Sequence, residues 1–262
     1  MIAARFAEDE PSRSAIAVRR SSYAQASVSR PRLVYAQQFA DFHDHPESSF
    51  YRSEALGLNP VETWEHLVVR MDALIAQVQA RFSVEVPFEI SFELLCFWHE
   101  EIFRESFPED AGRPRGRREG EWEHVFFGAD IGTVRSRRVK QIRGASPWKI
   151  RDLTRHACRE ATRSISTIQS QLLAGHEPDF DEAIYAVARM YAKVLRIHPW
   201  VDGNLRTAFV ALQGALSALD LATIELKDLA RHDDMMGIAF QGDDQPYDGL
   251  AELIADILRA AG

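Results

Sequence analysis

Apolar side chains recur every three to four residues through most of this chain, the spacing that places them on one face of an α-helix. Proline and glycine mark the segment ends: Pro60 suits a first helical position, Gly175 a C-cap position, and Pro199 stops propagation. The pattern predicts an all-α fold whose helices span Pro60–Phe82, Phe92–Arg104, Lys149–Ala174, Asp181–Ile197 and Asn204–Leu219.

One segment departs from this periodicity. Short apolar runs at His124–Phe127 and Ile131–Val134 flank a Gly-Ala-Asp sequence that is typical of a turn. The segment from about 124 to 143 therefore predicts a small β-hairpin, and the complete fold prediction is all-α with one such flap.

The chain also divides by composition. Residues 1–35 are rich in Ser, Arg and Ala with little periodicity, which predicts a disordered tail. Residues 36–86 are interpreted as an N-terminal helical extension, and residues 87–262 as the main domain with a C-terminal helical extension. A length of 262 residues with 46% hydrophobic content is enough to bury a substantial core.

Charge and cysteine content narrow the class of protein. The formal net charge of −8 argues against specific nucleic-acid binding, which needs surplus Lys and Arg. Basic residues nevertheless crowd into 113–151, Arg115 among them, and two interpretations are open: a solvated surface, or a patch for an acidic target or phosphates. Cys96 and Cys158 are interpreted as buried reduced thiols, which predicts a cytoplasmic protein. No apolar run is long enough for a membrane span.

The run His-Pro-Trp-Val-Asp-Gly-Asn-Leu-Arg at residues 198–206 carries the clearest chemistry. His198 can accept a proton near neutral pH, and Asp202 is an oxygen ligand of the kind that holds Mg²⁺ with substrate phosphates. Gly203 and Asn204 open a helix whose N-terminus, beside Arg206, suits an anion. Asp-Gly-Asn alone is an ordinary turn signal, but the combination favours a phosphate site.

This run resembles the Fic family signature, His-Pro-Phe-x-Asp/Glu-Gly-Asn-Gly-Arg-x-x-Arg. The upstream stretch Ile102–Arg113 is similar to the family's Phe-Pro-Trp-Ala-Gly-Lys stretch, and the similarity covers Pro87 to about Leu226. The resemblance implies transfer of AMP from ATP to a protein hydroxyl, with ATP and Mg²⁺ as cofactors. It also implies a target protein paired with the flap by strand addition.

By the same resemblance, His198 is the catalytic base and Asp202 the metal ligand. Gly203, Asn204, Leu205 and Arg206 form the cradle that binds the nucleotide phosphates.

Three positions depart from the signature. Trp200 replaces a phenylalanine, which exchanges one large aromatic side chain for another. Leu205 replaces the second glycine and Phe209 the final arginine, so a side chain stands where backbone approaches phosphate and one positive charge is missing. Doc, a branch of the family that phosphorylates its target, also lacks that glycine and that arginine.

Two classes of function therefore remain. One is a protein-modifying transferase, either an adenylyltransferase or a Doc-like phosphotransferase. The other is a degenerate module that binds without turnover. The family's inhibitory Ser/Thr-x-x-x-Glu-Gly/Asn motif is not found, so inhibition comes from a separate antitoxin-like partner or is unnecessary. The N-terminal composition also suits a secretion signal, which leaves a toxin or secreted effector as a further interpretation.

Overall fold

The computed structural model describes residues 56–115, 126–131, 138–224 and 247–261, together with Ser53. The chain divides into two compact units, Met1–His66 and Leu67–Gly262. The predicted disordered tail at 1–35 and most of the first half of the predicted extension at 36–86 lie outside the described residues, so those domain boundaries stay predictions.

Helix α1 runs from Pro60 to Arg81, and helix α2 from Phe92 to Phe103. Asn59 Oδ1 accepts the Glu62 N–H at 3.4 Å at the start of α1, and Ser91 Oγ accepts the Leu94 N–H at 3.0 Å at the start of α2. Both are side-chain caps of backbone donors that a first helical turn leaves unpaired. The two predicted helices are confirmed to within one residue at each end.

Helix α3 covers Ile150–Leu173 and follows a 3₁₀ turn at Pro147–Lys149. Its last turn ends in Gly175, which has a φ of 75° and donates its N–H to the Leu172 carbonyl at 3.0 Å. A left-handed residue at this place suits glycine, which has no Cβ to clash. The C-cap itself is Ala174, so Gly175 ends the helix as predicted but from the position that follows the cap.

Gln169 on α3 is a buried amide that joins distant segments. Its Oε1 accepts the Phe88 N–H at 2.8 Å, and its Nε2 donates to the carbonyls of Ser83, Val86 and Ala218 at 3.0 to 3.1 Å. The α1–α2 connection and the end of a later helix are therefore both fastened to α3 by one side chain.

Helix α4 (Phe180–Ile197) and helix α5 (Asn204–Ala218) form the centre of the fold. Helix α4 contacts α3, α5 and the C-terminal helix α6 (Asp248–Ala261), while α5 also contacts α2 and α3. Most side chains of α5 are buried on every side, including Thr207, Phe209 and Leu212. A helix enclosed in this way holds its N-terminus in a fixed place within the core.

Two strands lie between α2 and α3 in the chain. Strand β1 (Phe126–Ile131) pairs antiparallel with β2 (Arg138–Arg143), with Phe126 opposite Arg143 and Ile131 opposite Arg138. They fall within the segment predicted to form a hairpin, but the turn predicted at residues 128–130 is wrong, since these residues lie inside β1 and pair with β2. Residues 132–137 lie outside the described part, and the role of a flap stays a prediction.

The described architecture confirms the all-α prediction, since the core is built from packed helices. Neither Cys96 nor Cys158, both described, forms a disulfide; Cys158 is buried and Cys96 partly exposed. Within the described ranges, no helix combines the length and the apolar character that a membrane crossing requires.

Candidate active site

His198 caps the C-terminus of α4 in a left-handed conformation. Its φ is 53° and its ψ is 65°, and its N–H donates to the Val194 carbonyl at 3.2 Å. Pro199 has no N–H to continue the helix, so the chain turns away immediately after the histidine. The imidazole therefore stands at the start of the 198–203 loop, as the sequence predicted. Its Nε2 atom is shielded from solvent.

Asn204 closes this loop on itself. Its Oδ1 accepts the Trp200 N–H at 2.9 Å, and its Nδ2 donates to the Trp200 carbonyl at 2.8 Å. Both side chains are buried, Trp200 with only 1% of its surface exposed. Asn204 thus shapes the loop through the backbone of Trp200, while the Trp200 ring anchors the loop in the core.

Gly203 is the N-cap of α5, and only glycine fits there. Its φ is 79°, and a Cβ at this position would stand 2.2 Å from Cε2 of Phe103. Because Gly203 has no side chain to cap the helix, the N–H groups of the first turn of α5 receive no bond from the N-cap residue. Such groups, at the positive end of the helix dipole, suit an anion.

His99 on α2 supports the loop from beneath. Its ring is stacked between Phe103 and Trp200, with centroids 4.7 Å from each. Nδ1 accepts the Gly112 N–H at 2.9 Å, so Nε2 carries the proton and donates to the Asp202 carbonyl at 2.9 Å. His99 was not predicted as a site residue. The available signal was a histidine on the apolar face of α2.

Asp202 and Arg206 lie together at the N-terminus of α5. Asp202 Oδ1 accepts the Gly203 N–H at 2.6 Å and stands 3.7 Å from Arg206 Nη1. The Arg206 guanidinium also lies over the Phe103 ring, 5.7 Å from its centroid. Burial lowers the pKa of Arg206, and the neighbouring Asp202 carboxylate acts in the opposite direction. A largely buried cation next to first-turn N–H groups is a strong attractor for phosphate.

The two departures from the Fic signature occupy different environments. Leu205 lies in the first turn of α5 and is partly exposed. Phe209 is buried with 1% exposure and belongs to the core. The arginine that the signature places at 209 is therefore replaced by a packing residue.

Arg115 corrects one interpretation drawn from the sequence. It was counted with the basic residues of 113–151 as part of a surface, either solvated or available for docking. It is instead buried, with 3% exposure. Its guanidinium donates to main-chain carbonyls at the end of α4, including His198 O at 2.6 Å.

Metal ligands are sparse around this loop. Among the described residues there is no group of three His, Cys, Asp or Glu side chains that could hold an ion alone. Asp202 is nevertheless compatible with Mg²⁺, since this ion is often bound by one or two carboxylates together with substrate phosphates.

These features define a helical protein in which a loop that begins at a histidine leads into the N-terminus of a buried helix. Residues 89–216 match the model of the Fic/DOC family. Among solved structures, it is similar to a Fic domain containing signaling protein from Bacteroides thetaiotaomicron VPI-5482. The identity is 13% and the TM-score 0.45, over 92% of this chain and 96% of that chain. No curated protein matches the sequence.

Proposed function

We propose that this Fic domain transfers AMP from ATP to a hydroxyl group of a target protein, with His198 as general base. The observation that supports this proposal is the geometry of one loop. His198 stands at its start, and Asp202, Arg206 and the first-turn N–H groups of α5 stand at its end. A base and a phosphate cradle on a single loop are what hydroxyl attack on a nucleotide phosphate requires.

In the proposed reaction the target hydroxyl oxygen attacks the α-phosphorus. Its proton passes to the His198 imidazole, the bond between the α-phosphorus and the bridging oxygen breaks, and pyrophosphate leaves with the electron pair. Arg206 and the N-terminus of α5 bind the phosphates and stabilise the negative charge that develops on them. When bound, Mg²⁺ neutralises further phosphate charge, and Asp202 is the residue proposed to hold it.

A second candidate is transfer of the γ-phosphate, in the manner of Doc. It is supported by Leu205, a branched and partly exposed side chain in the first turn of α5, and by Phe209, which leaves no arginine at that position. In this reaction the hydroxyl attacks the γ-phosphorus and ADP leaves. The donor phosphate, and therefore the orientation of ATP, is what distinguishes the two reactions.

The partner that we propose is a protein that offers an extended segment carrying Ser, Thr or Tyr. A two-stranded sheet such as β1–β2 has an outer edge on each strand, and an extended segment can pair with such an edge through main-chain hydrogen bonds. A separate antitoxin-like inhibitor stays part of the proposal.

Parallel reactions in lysate with α-labelled and γ-labelled ATP test which phosphate of ATP is transferred to the target. The purified protein is added as wild type or as His198→Asn, and only the label that the histidine variant fails to transfer is counted, which removes lysate kinases from the result. Label from the α position alone supports AMP transfer. Label from the γ position alone supports the phosphotransferase. Neither label in the wild type contradicts both and leaves the non-catalytic module.

The variant Leu205→Gly tests whether this side chain sets the donor, with Leu205→Ala as control. If Leu205 hinders an AMP-transfer cradle, glycine should raise α-label transfer, because backbone can then approach phosphate closely. If Leu205 redirects the donor, the wild type should transfer γ-label and the glycine variant should shift toward α-label. Efficient AMP transfer by the wild type with no gain from glycine would contradict both roles.

A further inference from the structure

Arg115 donates hydrogen bonds to several backbone carbonyls that lie close together. Its Nε donates to His198 O at 2.6 Å, and its Nη2 donates to Ile197 O at 3.2 Å and to Ala145 O. Its own backbone N–H donates to Pro199 O at 2.9 Å. One residue thereby satisfies three consecutive carbonyls, of Ile197, His198 and Pro199, where a helix end leaves acceptors unpaired.

The positive charge of this guanidinium also complements the C-terminus of α4. Carbonyl groups at a helix C-terminus carry partial negative charge, so a buried cation there is favourable. Its planar fork allows one side chain to bond acceptors in several directions, which an ammonium group on a flexible stem does less well. The contacts therefore depend on arginine rather than on positive charge alone.

His198 needs such support because its backbone is left-handed. Residues with a Cβ adopt this region infrequently, and they keep it only where surrounding contacts fix it. The hydrogen bond from Arg115 Nε to His198 O is one such contact, because it is made to the carbonyl of the left-handed residue itself. The direction in which the imidazole leaves the backbone follows from that conformation.

The same guanidinium reaches the exit of β2. Gly144 follows the last residue of β2, and a Cβ there would stand 2.7 Å from Arg115 Nη2 and 3.3 Å from the Cβ of His198. The next residue, Ala145, donates its N–H to Ile197 O at 3.1 Å. Glycine at 144 thus lets the strand exit, the guanidinium and the histidine pack against one another.

We infer that Arg115 is a positioning residue for His198: it holds the left-handed backbone of the base and joins it to the exit of the β1–β2 pair. The inference rests on the proposed function of His198 as base. Arg115 acts through main-chain carbonyls of 145, 197 and 198, and none of these contacts involves the cradle at 203–206. Its loss should therefore impair the chemical step more than nucleotide binding.

The test compares Arg115→Lys, Arg115→Met and Gly144→Ala with Arg104→Met, which changes an exposed arginine at the end of α2. In label-transfer kinetics, Arg115→Met should lower kcat on the order of 10²-fold with the KM for ATP changed less than about twofold, because a displaced base slows proton transfer. Arg115→Lys should recover only part of kcat. Gly144→Ala, which displaces the guanidinium without removing it, should also lower kcat.

A second readout does not depend on turnover. The ¹⁵N-labelled imidazole signal of His198 should shift in the Arg115 and Gly144 variants and stay unchanged in Arg104→Met. Amide exchange of Ala145 and His198 should accelerate in parallel. If the wild type transfers neither label, the proposed function fails, and these signals still decide whether Arg115 holds the histidine.

Two results would overturn the inference. Full kcat and an unshifted His198 signal in Arg115→Lys would mean that the fork geometry is not needed. An equal loss of kcat and ATP affinity in folded Gly144→Ala, as judged by its melting curve, would assign Arg115 a general structural role. If Arg115→Met does not fold, Arg115→Lys and Gly144→Ala decide the question.

Discussion

At the scale of single residues, the backbone of His198 determines how its role can be tested. Glycine adopts the left-handed conformation most readily, followed by asparagine, aspartate and histidine. Alanine at this position would therefore add conformational strain to the loss of the imidazole. Asparagine removes the base while it keeps a side chain suited to this conformation. It is therefore the cleaner variant.

We expect His198→Asn to lower label transfer on the order of 10²–10⁴-fold, the usual contribution of a general base. The melting temperature should stay close to that of the wild type, because the change respects the backbone at this position. Labelled-product yield and a melting curve check both statements. His176→Asn, an exposed histidine, is the control. Undiminished transfer by the folded His198 variant would remove this histidine from the mechanism.

The site residues divide into those that sequence reasoning can find and those that it cannot. His198, Asp202, Gly203 and Arg206 were predicted because they stand within one short run and their chemistry is evident at that spacing. His99 forms a hydrogen bond with the carbonyl of Asp202, 103 positions away in the sequence. Arg115 donates to the carbonyl of His198, 83 positions away. Contacts of this kind arise from tertiary packing. The position of His99 on the apolar face of α2 is a local signal, but nothing in the sequence identifies the partner of either residue.

At the scale of elements, periodicity and end signals were sufficient for the long helices. Each predicted boundary lies close to the observed one because Pro60, Gly175 and Pro199 fix backbone geometry locally. The connections between helices were not predictable in the same way. Gln169 interrupts the apolar face of α3, and nothing at its own position reveals that its partners are backbone groups of 83–88 and 218.

Gln169→Leu should destabilise the fold by about 3 kcal/mol or more, because it leaves several buried backbone groups without a hydrogen-bond partner. Gln77→Leu on the exposed side of α1 is the matched control and should change stability by less than about 0.5 kcal/mol. Urea unfolding of both variants measures the difference. Similar midpoints would show that water or rearrangement satisfies the freed groups.

A charge cluster between α3 and α4 makes pairing of the helices dependent on pH. Glu160 on α3 accepts hydrogen bonds from Lys193 and Arg189 on α4, and His156 lies 3.4 Å from it. The hydrogen bond from Lys193 is the largest cause that lowers the pKa of Glu160 below its ordinary value of 4.5. This carboxylate therefore contributes stability above that value and loses it as the pH falls through the lowered pKa.

We expect Glu160→Gln to lower stability near neutral pH by no more than about 1 kcal/mol, since the group is partly solvated and the pair is screened. As the pH falls through the lowered pKa of Glu160, the difference from wild type should shrink, because protonation removes the same charge. Thermal melting across this pH range tests the expectation. Glu177→Gln, an exposed carboxylate in the α3–α4 connection, is the control. A constant difference at all pH values would contradict the electrostatic cause.

At the scale of the whole molecule, the enclosed position of α5 ties the proposed phosphate site to global stability. Helix α5 contacts α2, α3 and α4, so its N-terminus is in place only when these helices are assembled. A ligand that binds there binds the folded state alone and shifts the unfolding equilibrium.

ATP with Mg²⁺ should raise the melting temperature of the wild type. At a concentration of about one hundred times Kd the stabilisation is about 2.7 kcal/mol, which corresponds to roughly 5–10 °C for a domain of this size. Asp202→Asn and Arg206→Met should shrink the shift, as should chelation of the metal, while Arg104→Met should preserve it. Equal shifts in all variants would place the nucleotide elsewhere.

The burial of Phe209 also has an evolutionary consequence. In an enzyme that keeps the family's final arginine, that position serves the ligand, whereas here it serves the packing of α5. A direct return to arginine would place a charge among apolar neighbours, at a cost of several kcal/mol unless those neighbours changed as well. The phenylalanine is therefore entrenched: an arginine at 209 becomes acceptable only after neighbouring positions have changed, so no single substitution installs it.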